Sequence, residues 1–182
     1  MYPFFRVITE MARARYFSAP LALTDPHISQ HRVLPGDLDM AVELNNGRTL
    51  TLMDLGRMPL FERTGLFRRV YGAGWFMTMA GVTVRYRRRV TLWQKMRLHS
   101  RIICWDTRFF YLEQAMLRPD GLVANHALYR VAVADRGGII APARAAQLVG
   151  WDGPSPDMPA WVAAWVAAED QRPWPPMGFE AG

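Results

Sequence analysis

The chain holds a single cysteine, Cys104, among its 182 residues, so it forms no internal disulfide. A lone thiol suits a reducing compartment, and a cytoplasmic protein is expected. No apolar run approaches the roughly 18 residues needed to cross a membrane. Residues 1–17 lack the apolar core and small-residue cleavage site of a signal peptide. Metal-ligand spacing is also missing, since His27, His31, His99 and His126 stand in no zinc-binding pattern. There is no glycine-rich phosphate loop, and Ser100 has no nucleophile-elbow context. Cys104 lies in an alternating stretch with no histidine beside it, which reads as core. No metal or redox cofactor is expected, and no internal repeat or low-complexity segment is present.

Hydrophobic residues make up 51% of the chain, enough for the substantial core of one domain. The formal net charge is +6, which suits phosphate-bearing partners such as nucleic acid, an anionic membrane or coenzyme A. Nucleic acid is set aside, because the aromatic residues form no evident stacking platform. Residues 1–17 place Phe4, Phe5, Val7, Ile8, Met11 and Phe17 among Arg6, Arg13 and Arg15. That pattern fits a short helix docked on the domain, or a basic-aromatic helix resting on a membrane surface. The expected organisation is a basic-aromatic segment over 1–26, a domain over 27–150, and a proline-rich linker with a last helix over 151–182.

Periodicity gives the order of elements. Residues 29–35 read as a short strand and 36–39 as a turn. Residues 46–64 show helical spacing on a broad apolar face, through Leu50, Met53, Arg57 and Leu60 with Leu52, Leu55 and Phe61. Asn45 or Asn46 can cap that helix and Gly65 can end it, while Pro59 should kink or split it. After Gly74 the period becomes two. Strands are predicted over 76–90, 95–105, 108–117 and 122–134, the last pair joined by the turn signal Pro119-Asp120-Gly121. Residues 144–149 form a short helix or a final strand. A last helix runs over 159–169, with Asp157 as a candidate cap. Trp161 and Trp165 share one of its faces and read as packing residues. One buried helix followed by four long antiparallel strands is an α+β arrangement: a long central helix wrapped by a curved antiparallel sheet.

The densest cluster of chemically able residues runs from Asp37-Leu38-Asp39 through Glu43, Asn45 and Asn46, where a strand gives way to that helix. A helix start offers unpaired N–H groups and the positive end of the dipole, which can hold the oxyanion of an attacked thioester. A carboxylate just ahead can attack directly or activate a water. The plainer reading is that aspartate before a helix caps or turns the chain. Arg85, Arg87, Arg88 and Arg89 form the strongest basic cluster. Guanidinium forks suit phosphate, while a row of them also protects a strand edge. Because side chains alternate along the strand, Arg85, Arg87 and Arg89 face one way and Arg88 the other, so they cannot all serve one site.

The run Asp37-Leu38-Asp39, Asn45-Asn46-Gly47-Arg48 and Leu52-Met53-Asp54-Leu55-Gly56-Arg57 resembles the 4-hydroxybenzoyl-CoA thioesterase branch of the hotdog superfamily. More narrowly, it is similar to bacterial acyl-CoA thioesterase-like proteins related to thioesterase superfamily member six. The resemblance implies a hotdog fold and hydrolysis of an acyl-CoA, with coenzyme A entering as part of the substrate and Arg87, Arg88 and Arg89 as candidates for its phosphates. It makes Asp39 the catalytic carboxylate and the backbone N–H near Asn46 the group polarising the carbonyl. Asn45 would orient a water or the acyl carbonyl. It also implies a homodimer, or a dimer of dimers, with the site between subunits. Two positions depart from the family pattern: Glu43 stands where its histidine falls and Thr49 where its tyrosine falls. Glu43 is then an alternative base or proton donor, or the mark of a protein that binds acyl thioesters without turning them over.

Overall fold

The computed structural model describes residues 2–179. Five long or medium strands and one short one form a single antiparallel sheet. These are β1 (His27–Arg32), β2 (Phe76–Tyr86), β3 (Lys95–Trp105), β4 (Phe110–Leu117), β5 (Val123–Asp135) and β6 (Gly138–Ile140). The order across the sheet is β1-β3-β4-β5-β2, with β6 pairing β5. Helix α1 spans Phe4–Phe17, α2 Asn46–Arg63, α3 Leu66–Gly72, α4 Pro142–Leu148 and α5 Ala160–Asp170. The helix-in-sheet α+β architecture expected from periodicity is the one observed.

The sheet's inner face packs on α2. Leu98, Ile102, Phe110, Leu112, Met116, Ala127, Tyr129 and Val131 bury against Leu52, Met53, Leu55 and Leu60. Gly56 permits a close approach, because a Cβ there would stand 2.6 Å from Ser100 Oγ and 3.2 Å from Leu98 Cβ. Gln114 occupies the same layer and donates to the Met53 carbonyl (2.9 Å) and Ser100 Oγ (2.7 Å). These bonds satisfy a polar side chain that is otherwise sealed from water.

Helix α2 runs across Pro59 without a break. A proline donates no N–H, so the Leu55 carbonyl loses its intrahelical partner. His31 of β1, also buried, pairs with Ser29 Oγ at 2.8 Å.

The outer face explains why β4 and β5 are buried on both sides. Cys104, Phe109, Tyr111, Leu128 and Ala132 form a second cluster closed by Val162 of α5, with Trp165 and Val166 beside it. Arg130 holds the helix, at 3.4 Å from Glu169 and 5.4 Å from the Trp165 ring. Burial raises the Cys104 thiol to about 11, with the Asp106 charge adding to the effect, as befits a core residue. Helix α1 docks through Val7, Met11 and Ala14 and turns Phe4, Phe5, Ile8 and Tyr16 outward. No described helix is long and apolar enough to cross a membrane.

Several boundaries differ from expectation. The first strand is His27–Arg32, because Pro35 opens a short 3-10 turn, Pro35–Asp37, inside the predicted range. The long strand ends at Tyr86 instead of Val90. Arg87 N and Arg88 N both donate to the Ala124 carbonyl, at 2.8 and 3.2 Å, and two consecutive N–H groups cannot share one acceptor in a regular ladder. Residues 144–149 fall mostly within α4, settling the choice in favour of a helix. Helix α5 starts after Pro159 without a side-chain cap, so Asp157 does not cap it. The short elements α3 and β6 escaped the periodicity reading, being too brief to show a repeat.

Candidate functional site

The segment between β1 and α2 is organised by Asp37, whose 1% exposure makes it the buried carboxylate of the pair. Its Oδ2 accepts from Leu34 N (3.0 Å) and Arg6 Nη1 (3.1 Å), and its Oδ1 accepts from Arg48 Nε (3.2 Å) and Nη2 (2.5 Å). Burial by itself would raise this carboxyl. The bonds from Arg48 and the Leu34 N–H, with the Arg6 charge, outweigh burial and hold it below the ordinary carboxylate range. Asp37 therefore clamps α1, the 3-10 turn and the start of α2 together.

Asp39 lies two residues on and is half-buried. Its Oδ1 accepts from Ala41 N at 2.8 Å and its own N–H donates to the Glu43 carbonyl at 2.9 Å. This closes a tight turn in which Val42 takes a φ of 58°. No described residue donates to its other oxygen, Oδ2.

Glu43 and Asp39 take different partners. The Glu43 carboxylate reaches Arg89 Nε at 2.8 Å. Asn45 is the α2 N-cap, its Oδ1 accepting from Arg48 N at 3.1 Å, so that oxygen is already engaged. The N–H groups of Asn46 and Gly47, in the first turn of α2, have no acceptor among the described residues.

Three segments meet above that turn. Glu43, Leu44 and Asn46 come from the helix entrance, Tyr86 to Val90 from the end of β2, and Asn125 from β5, around a cavity of about 210 Å³. The Tyr86 hydroxyl donates to the Asn46 carbonyl at 3.1 Å, tying strand to helix. Of the residues singled out in the sequence, Glu43, Asn46, Arg87, Arg88 and Arg89 line the cavity, and Asp39 and Asn45 do not. The three arginines do share one site, contrary to the alternation argument, because the strand has already ended. Tyr86 and Asn125 were not foreseen: their only signal is a polar group at the end of an otherwise apolar strand pattern. Thr49, at 1% exposure, is buried and bonds the Asn45 carbonyl, so it offers nothing to the cavity. No group of His, Cys, Asp or Glu among the described residues could hold a metal ion.

A long helix in a curled antiparallel sheet, with the helix start opening to solvent, is the hotdog class of fold. The chain belongs to the thioesterase-like superfamily, whose family model matches residues 33–166. It is 39% identical to Protein THEM6 of Xenopus laevis over 111 residues, covering 61% of this chain and 54% of that protein. The Danio rerio protein of the same name is 36% identical over 100 residues, covering 54% and 50%. The chain thus spans about half the length of these curated relatives. Among solved structures, YbaW Probable Thioesterase from Escherichia coli superposes with a TM-score of 0.62 at 19% identity, over 68% of this chain and 98% of that one. A 1,4-dihydroxy-2-naphthoyl-CoA thioesterase from Synechocystis gives 0.61 at 9% identity, over 71% and 100%. At such identities these two speak for the fold alone.

Proposed function

We propose that the protein hydrolyses an acyl-CoA thioester at the start of α2. The observation that carries this is the start of α2, where the N–H groups of Asn46 and Gly47 have no acceptor among the described residues, with Asn46 lining a cavity whose wall also holds three arginines. The N–H groups would take the carbonyl oxygen as it gains charge. Arg87, Arg88 and Arg89 would take coenzyme A phosphates through forked hydrogen bonds. Asp39 would supply the carboxylate in one of two ways. It attacks the carbonyl carbon and water then opens the resulting anhydride, or it takes a proton from a water that attacks. Either way the carbon–sulfur bond breaks, and coenzyme A leaves as the thiol with the acid as co-product. Glu43 is the alternative base, and its release from Arg89 would be needed first. Asn45 orients the water or the acyl carbonyl only through atoms its cap leaves free.

The cavity in one protomer is below the roughly 300–1,000 Å³ of ligand pockets. A second copy would enlarge it. Strand β2 is an eleven-residue edge with Phe76, Met79, Val82 and Tyr86 exposed, and it ends at the cavity. A homodimer paired along β2 is therefore part of this reading, as is a reducing, cytoplasmic setting for Cys104.

A second reading is a non-catalytic acyl-CoA binding protein. It is favoured by the Asp39 carboxylate, which turns back onto its own loop and away from the cavity lining. Free thiol release from short, medium and long acyl-CoAs separates the two, using native protein, Asp39→Asn and Glu43→Gln. Loss of turnover by about a hundredfold or more in Asp39→Asn alone, with the fold intact, supports hydrolysis with Asp39 as the carboxylate. Loss in Glu43→Gln alone moves the role to Glu43. Acyl-CoA binding without turnover in any of the three refutes hydrolysis and leaves the binding protein.

A further inference from the structure

Helix α2 begins at the candidate site and ends about 25 Å away, at the 1.5 Å rise of its 18 residues. Around that far end lies a separate cavity of about 570 Å³. The end of α1, the loop after it, the junction of α2 with α3, and the residues following α4 form its walls. Four guanidiniums line it, from Arg15, Arg63, Arg68 and Arg69, against a single acid, Glu62.

The charges in this cavity are not matched. Glu62 is 3% exposed and engages Arg68 Nε at 3.1 Å. Arg63 is fixed in the wall by its bond to the Ala19 carbonyl (2.9 Å) and its contact with His27 Nδ1 (3.0 Å). Arg15 and Arg69 are exposed and have no carboxylate partner among the described residues. Arg15 instead lies over the Tyr16 ring at 5.5 Å. The C-terminal end of α2 supplies about half a negative charge. With Glu62 that offsets only part of four positive charges, and like charges gathered at one opening repel unless an anion stands among them.

We propose that this cavity binds a phosphate group, gripped by Arg15, Arg68 and Arg69. Guanidinium forks match phosphate oxygens in shape as well as charge. The volume lies within the range of ligand pockets, so the phosphate can carry an attached moiety. That moiety is either a soluble molecule or a lipid. The lipid is the natural source if the outward face of α1 takes part, since Phe4, Phe5 and Ile8 share that face with Arg15.

The test uses the full chain with inorganic pyrophosphate in titration calorimetry, and phosphatidylcholine vesicles with or without phosphatidic acid in sedimentation. The double variant Arg15→Gln/Arg69→Gln is expected to bind pyrophosphate roughly tenfold more weakly or worse, as two charge-assisted bonds are lost. Arg97→Gln/Arg136→Gln, which removes the same net charge elsewhere on the surface, should bind as the native protein does. Footprinting with phenylglyoxal gives an independent reading, in which pyrophosphate should shield Arg15, Arg68 and Arg69 in the native chain. Binding to phosphatidic acid vesicles that is lost in Phe5→Ser/Ile8→Ser, while pyrophosphate binding persists, identifies a lipid. Pyrophosphate binding with no vesicle preference identifies a soluble phosphate. Absence of binding to both probes, or native affinity in Arg15→Gln/Arg69→Gln, overturns the proposal.

Discussion

Asp37 keeps its charge where almost no water reaches it, and two arginines with one backbone N–H make that tenable. Removing one member of a buried ionic cluster leaves the others uncompensated, which typically costs about 3–5 kcal/mol. Asp37→Ala should therefore lower the urea midpoint by an amount equivalent to about 3 kcal/mol. It should also loosen α1, which loses its link through Arg6, so trypsin should cut at Arg13 and Arg15 before the rest of the fold. Two histidines set the response to acid. Burial pushes both His27 and His31 down to about 4, helped in His27 by the Arg63 charge and in His31 chiefly by Arg6. Between about pH 6.5 and 4 the unfolded chain takes up these protons and the native chain does not, so stability falls with pH in that window. Each histidine contributes about 1.4 kcal/mol per pH unit there. Thermal melts between pH 7 and 5 should show this loss, and His31→Gln should flatten it. Asp37 acts in the same direction only at lower pH, because its depressed carboxyl stays ionised until then.

Helix α2 and the strands it contacts were readable because each keeps one period over enough residues to declare itself. Strand β3, Lys95–Trp105, coincides with its expected bounds, its alternation bringing Met96, Leu98, Ser100 and Ile102 inward. Pro59 does not split α2, which continues through it to Arg63. The end of β2 misled, because Arg85 to Arg89 look alike in sequence and only the Ala124 carbonyl, far along the chain, stops the ladder. Gly56 lies so close to β3 that a Cβ there would stand 2.6 Å from Ser100 Oγ. Gly56→Ala should destabilise by about 1–3 kcal/mol, as an overpacked core does, and chemical denaturation will measure it. Substitution of Gly36, which has open space where a Cβ would stand, serves as the control.

For the molecule as a whole, the candidate site was legible only on its helix side. The stretch Glu43 to Asn46 is continuous in sequence, but Tyr86 and Asn125 reach the cavity through the pairing of β2 with β5, at a register in which Tyr86 faces Asn125. No local pattern encodes that meeting. If the proposed dimer forms along β2, Val82→Glu should shift the protein to a monomer in light scattering and reduce thiol release along with it. An unchanged mass would remove β2 as the interface. The outer face of the sheet points to a different kind of behaviour. Tyr111, Leu128 and Ala132 lie under α5, which is held largely by Val162, Trp165 and the Arg130 contacts. Should α5 lift before the sheet melts, an apolar strip is laid bare on strands that are still paired. Heated chains would then stick to one another through that strip, making denaturation irreversible and dependent on protein concentration. The helix that completes the second core thus also decides whether a thermally stressed molecule finds its way back.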